Sequence, residues 1–206
     1  VPDDVDIKPE RTRNRWGEGD RLRGEILDAA GRLLSGLGGE DGLTIRGVAR
    51  EVGIAPASIY HHFTDRTALV QGLMDHEHAR LTSLMRAADE AVVAEDVVGR
   101  VHAQLYAYCD FATDNPGHHR LVLGNGSGEP RSAAPPVLID VVEALTAAFD
   151  RCEAAGHTLR LPGDRAAVMV FVAVYGRVAL LHSIQRGQTT DERRSFIDEL
   201  VSLVLA

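Results

Sequence analysis

Cysteine is nearly absent: the 206 residues contain two, Cys109 and Cys152. They stand far apart in apolar, helix-like patterns, which points to free thiols in a reducing compartment and not to a disulfide framework. Lysine is scarcer still. Lys8 is the single one, and arginine supplies the other 21 of the 22 basic residues. No run of 18 apolar residues occurs and no signal-peptide pattern is visible, so the expectation is a cytoplasmic protein without a membrane span. Catalytic signatures are missing too. There is no Gly-rich strand-loop-helix to cradle a phosphate, no His-Glu-x-x-His and no Cys-x-x-Cys. No nucleophile with an ordered base can be picked out. The expectation is therefore no enzyme, no catalytic residue, no cofactor and no metal. His76 and His78 flank Glu77, but a spacing of two turns their rings about 200° apart on a helix, too far to share an ion.

Charge comes next. The net value of −8 argues at first against a nucleic-acid partner, but it is unevenly spread. From Lys8 to Arg66 ten basic residues face nine acidic ones, while the remainder carries twelve basic and twenty-one acidic. The acidity lies almost wholly outside the stretch from Lys8 to Arg66. A near-neutral stretch of this kind gives a modest electrostatic footprint on DNA, one that pairing of two copies would strengthen.

The most informative stretch is TIRGVAREVGIAPASIYHHFTDRTALV, which begins at Thr44. Ile45, Val48, Ala49 and Val52 recur at helical spacing and make one apolar face. Thr44 suits the N-cap of that helix. Gly53 stands where the helix must stop and turn, in a backbone conformation that favours glycine. Pro56 fits the first position of a short second helix, whose apolar side is Ile54, Ile59 and Phe63. Its outer side carries Ser58, Tyr60, His61 and His62, with Arg66 just beyond. These side chains suit phosphate oxygens and base edges. Two helices joined by a sharp turn at this spacing make a helix-turn-helix.

The pattern of Thr44, a small Ala49, Gly53, then Ile59-Tyr60-His61-His62-Phe63 and a basic Arg66 resembles the DNA-binding unit of the TetR (tetracycline repressor) family of bacterial transcriptional regulators. The match covers about 50 residues, from Asp20 to Gly72. The resemblance implies an all-α fold: an N-terminal three-helix helix-turn-helix domain, joined by a long helix to a helical effector-binding and dimerisation domain. It assigns Pro56, Ala57 and Ser58 to base edges, Tyr60, His62 and Arg66 to phosphates, and Arg46 to a DNA contact beside Thr44. It also implies double-stranded operator DNA and a small-molecule effector as partners. A two-fold dimer calls for a near-palindromic operator, with reading helices about 34 Å apart. Ala55 stands where the family often has a capping Ser or Thr, a loss of ~1 kcal/mol. Arg66 stands where Lys is commoner, and keeps the charge.

Taken in order, residues 1–18 show no apolar periodicity and are expected to be a disordered arm: Lys8, Arg11, Arg13 and Arg15 could approach a minor groove, while Asp3, Asp4, Asp6 and Glu10 favour a plain solvated tail. Residues 19–66 make the reading domain, opened by a helix from Asp20 to Leu37 that Gly36, Gly38 and Gly39 end. Residues 67–206 make the second domain. Its first helix starts at Asp65 and runs to Ala91, with Leu69, Leu73, His76, Leu81, Leu84 and Met85 as its stripe. A helix from Glu95 to Thr113 follows, then a short helix or turn at His118–Leu123, and a Gly- and Pro-rich loop over 124–136. A helix over Pro136–Ala155 includes Ile139 on its apolar side. Residues 165–187 are apolar nearly all round and should be buried on most sides. With the helix over 191–205 they hold more apolar surface than one small domain covers, which points to a homodimer interface.

An effector site is expected between the helices of this second domain. Its candidates are polar residues in apolar surroundings: His102, Tyr106, Asp110, Tyr175, Arg177 and His182, with Gln104, Tyr108 and Gln185 behind them. Arg177 would need an acidic partner if buried, Asp110 or the ligand. Phe171, Tyr175 and Gly176 loosely resemble a Trp-x-x-x-His-Gly element of one class of these ligand domains. The expected function is a repressor released from its operator by the effector. A ligand-independent regulator, an activator, or a helical module that no longer reads DNA remain alternatives at this point.

Overall fold

In a computed structural model of the chain, the described residues are 18–36, 42–123, 135–184 and 189–206. The N-terminal arm with its four basic residues, Gly38, Gly39, most of the loop after Leu123, and Gln185 lie outside them. Among the described residues there are nine helices and a single β-bridge between Leu159 and Leu205. They are α1 (Glu18–Gly36), α2 (Ile45–Val52), α3 (Pro56–Tyr60), α4 (Arg66–Ala91), α5 (Val97–Asp114), α6 (Pro116–Leu123), α7 (Pro136–Ala154), α8 (Gly163–Ile184) and α9 (Thr190–Val204).

The local sequence explains most of the boundaries. Thr44 Oγ1 accepts the Gly47 N–H at 3.0 Å and starts α2. Gly53 ends it at φ 76° and ψ 33°, the left-handed conformation expected there. Asp65 starts α4 by accepting from the Ala68 N–H at 2.8 Å. Asp96 does the same for α5 with Gly99, also at 2.8 Å. Thr189 and Glu192 form a reciprocal capping box at the head of α9.

Two apolar cores result. The head core joins Ile26, Leu27 and Leu34 of α1, Val48 and Ala49 of α2, Ile59 of α3, and Leu69 and Leu73 of α4. The body core is built on α5, α7 and α8: Val101, Leu105, Leu145, Phe149, Val170 and Val174 are all buried in it. The stripe expected on α5, Val97, Val101, Leu105, Tyr108 and Ala112, is buried throughout. Two helices serve both cores: α4 gives Leu69 and Leu73 to the head core and Leu81 and Met85 to the body core, and α6 is divided within two residues. On α6, Leu121 belongs to the head core and its neighbour Val122 to the body core. Gly117 lets the start of α6 press on the end of α1, where a Cβ would come within 2.6 Å of the Leu34 carbonyl carbon. Arg120 then donates to the Leu34 and Ser35 carbonyls at 3.3 and 3.4 Å, capping α1 from another domain.

Three expectations need correcting. Leu84 and Ile139 are each 44% exposed, because they sit at the flanks of their apolar stripes. Glu77 takes the inward place instead. It is buried at the crossing of α1 and α4, where Gly31 leaves room for its carboxylate and Arg80 donates to it at 3.0 Å. Burial raises its pKa. Finally, α8 is not enclosed on most sides. It is long and apolar enough to cross a membrane by length and composition, yet it packs on α7, α5, α9 and α6 with only part of its circumference. The other face leaves Val168, Val172, Leu180 and Ile184 open.

Candidate DNA-binding interface and effector site

The reading unit is held from beneath. Ile59 is fully buried and Phe63 nearly so, which fixes α3 on the head core. Gly72 lies against the Phe63 ring, at a distance no side chain would permit. Everything assigned to DNA is left outside that core. Arg46, Pro56, Ala57 and His61 are exposed, Ser58 and His62 are half-buried, and Tyr60 is 55% exposed. Thr44 is exposed and uses its oxygen as an acceptor for the cap, so its own proton is not consumed by that bond. α3 begins at Ala55 without a side-chain cap, as the missing Ser or Thr implies. Arg66 also has a partner within the fold. Its Nε donates to the Leu43 carbonyl at 2.9 Å and ties the start of α4 to the approach of α2.

In the body, the candidate ligand residues divide into two groups. His102, Tyr106 and Asp110 face α9. The Tyr106 hydroxyl donates to Asp198, and burial with that carboxylate pushes its pKa up to about 12. His102 stacks on Tyr106. Asp110 pairs with Arg193 at 3.0 Å. Arg177 is half-buried and lies over the Phe196 ring at 4.1 Å, so its guanidinium covers an aromatic face. Asp89 is a separate anchor, bonded to Arg100, Arg151 and the buried Gln104.

Tyr175 and His182 form the second group, and α6 completes it with two residues that sequence reading passed over. His119 lies 4.6 Å from the Tyr175 ring and 5.3 Å from the His182 ring, centre to centre. His118 meets Phe111 edge-on at 5.5 Å. Phe171 and Tyr108 continue the aromatic wall. His118 Nε2, both ring nitrogens of His119 and His182 Nδ1 are buried without a hydrogen bond. The Tyr175 backbone lies near enough to His119 to favour its charged form slightly, short of a well-formed bond. Burial dominates and pulls the pKa of both α6 histidines down to about 4. It lowers His182 as well. An unpartnered buried polar group costs about 1–3 kcal/mol, so three such rings together are more than packing alone requires. His76 and His78 pair separately, with Asp28 and Asp140. Among the described residues no group of three potential ligands is placed to hold a metal.

The family model described as "Bacterial regulatory proteins, tetR family" matches residues 26–73, which contain the helix-turn-helix. A second, "Tetracyclin repressor-like, C-terminal domain", matches residues 101–203, half of the chain. The chain belongs to the TetR family. Solved structures agree on the fold of this TetR-family transcriptional regulator. A candidate TetR-family regulator from Rhodococcus sp. superposes with a TM-score of 0.73 at 19% identity, over 91% of this chain and 100% of the other. A protein of unknown function from Rhodococcus sp. RHA1 gives 0.71 at 26% identity, over 90% and 96%. The fatty acid degradation regulator of Bacillus halodurans gives 0.70 at 15%, over 87% and 95%. TetR-family proteins in general bind operator DNA and small-molecule effectors as dimers.

Proposed function

We propose that this TetR-family regulator is a cytoplasmic homodimeric repressor that leaves a near-palindromic operator when a small molecule binds its body. The observation that carries the reading is α6, whose consecutive residues Leu121 and Val122 belong to different cores. Any rearrangement of the body that moves α6 also moves the end of α1, held by Arg120 and Gly117. The unliganded dimer holds its heads at the spacing of two half-sites, about 34 Å or a little more. An effector that prefers the rearranged body shifts that equilibrium by its differential affinity. At the operator, Tyr60, His62, Arg66 and Thr44 take phosphates. Arg46, Pro56, Ala57, Ser58 and His61 line the base edges. Pro and Ala offer contact to thymine methyls and few base-specific hydrogen bonds, so DNA shape carries part of the specificity.

The dimer forms through α8 and α9. Val168, Val172, Gly176, Leu180 and Ile184 recur every fourth residue and make a continuous ridge on α8, with Leu203 of α9 exposed beyond it. Gly176 faces open space at the middle of the ridge and lets a second helix approach closely. The deciding experiment is a fluorescence-anisotropy titration against DNA upstream of the protein's own gene and against fragments selected from genomic DNA. A saturable, sequence-dependent complex of one dimer per palindrome supports the reading. Binding that ignores sequence, or none, refutes it. Deletion of the gene should raise transcription from the bound promoter, and a fall would make the protein an activator.

A further inference from the structure

His119 is 3% exposed and His118 7%, and together with His182 they place four ring nitrogens in the interior with no hydrogen-bond partner. Charged and titratable groups from the surrounding helices are mostly basic. α4 contributes His78 and Arg80, α6 itself Arg120, and α8 His182; α5 adds the phenol Tyr108. Neighbouring carboxylates are engaged elsewhere: Asp140 with His78, Glu77 with Arg80 and Asp110 with Arg193. What the cluster presents is therefore basic nitrogen set against the rings of Phe171, Tyr175 and Tyr108.

We propose that His119 and His182, backed by His118, receive the acid group of an organic carboxylate carried on an aromatic body, and that this anion is the effector. The inference rests on the regulator reading above. A protonated imidazole donates from both nitrogens, and a carboxylate accepts at both oxygens, so one anion satisfies rings on two helices. Burial holds the empty rings neutral at pH 7, with His119 near 4. The carboxylate favours the charged form, so its arrival draws a proton from solvent. No covalent bond is made or broken. The ring nitrogens are closed to water, so the anion enters only as α6 shifts away from α8, and α6 carries Arg120 and its grip on α1 with it.

The test uses calorimetry on the full-length dimer, with benzoate and 1-naphthoate as probes and benzamide and 1-naphthamide as their neutral counterparts. Titrations run at pH 6, 7 and 8, each in two buffers of different ionisation enthalpy. The carboxylates should bind at least about tenfold more tightly than the amides. Their affinity should rise as pH falls from 8 to 6, by up to roughly tenfold per unit for one proton taken up. His119→Phe should lose that binding, while His102→Phe on the α9 side should keep it. Proton uptake is read on the unaltered protein, so it stands even where a variant fails to fold. Equal binding of acid and amide, a pH-independent affinity, full binding by a folded His119→Phe, or no binding of either acid overturns the proposal. Operator titrations on the same samples separate the two readings. Sequence-specific DNA binding without carboxylate binding removes the effector class and leaves the regulator. Carboxylate binding without DNA binding does the reverse.

Discussion

Arg66 is bound into the fold before it meets any DNA. Its Nε holds the Leu43 carbonyl, so its substitution has two consequences that can be separated. Arg66→Lys keeps the charge and loses that bond. It should lower the stability of the head by about 1 kcal/mol while leaving the salt dependence of operator binding nearly unchanged. Arg66→Ala should lower both. Tyr60→Ala, at an exposed site, should leave thermal unfolding unchanged and weaken binding to all sequences alike, which melting curves and anisotropy at several salt concentrations will show. Gly53→Ala places a side chain at φ 76° and should destabilise the head by roughly 1–2 kcal/mol. At this scale the sequence was highly legible. Thr44, Gly53, Pro56 and Asp65 act through neighbours three or four residues away, so their roles follow from local order. Arg66 acts across 23 residues, and nothing in the spacing announces its bond to Leu43.

At the scale of the element, α6 is the helix whose meaning the sequence concealed. Eight residues that open on Pro116-Gly117 and run up to a Gly-rich sequence show too few turns for periodicity to reveal a face. Its two histidines look like turn residues until α5 and α8 close over them. Long helices fared better: α4 starts where Asp65 predicts and α5 buries its whole expected stripe. The capping box Thr189–Glu192 was present to be read and marks the start of α9. The buried histidines give α6 a pH signature. Their folded pKa near 4 lies below the unfolded value of about 6.5, so the unfolded chain binds more protons in between. Stability is full above about pH 6.5 and falls as pH drops toward 4, by up to about 1.4 kcal/mol per unit for each ring. Thermal unfolding at pH 7.5 and 5 should show this fall, and His119→Phe should flatten it. Gly117→Ala should push α1 off α6, leaving the near-UV signal of the body intact while operator affinity drops.

For the whole molecule, the apolar character of α8 was plain from its composition, but which side faces outward depends on where α5 and α7 pack. The candidate ligand residues were separated for the same reason: His102, Tyr106 and Asp110 share a helix with Tyr108 yet turn toward α9. Leu180→Asp puts a charge on the exposed α8 ridge, away from the core of its own chain. Sedimentation should show a folded monomer, and operator affinity should fall by an order of magnitude or more as two linked heads become one. The sharing of α6 between cores has a consequence for anyone recombining this regulator with its relatives. A hybrid joined at the start of α4 would take α1 to α3 from one parent and Leu121, Arg120 and Gly117 from the other. The donor head would then arrive with a missing wall in its core and an uncapped α1. A workable graft must carry α6, and the first turns of α4 with Leu69 and Leu73, along with the head.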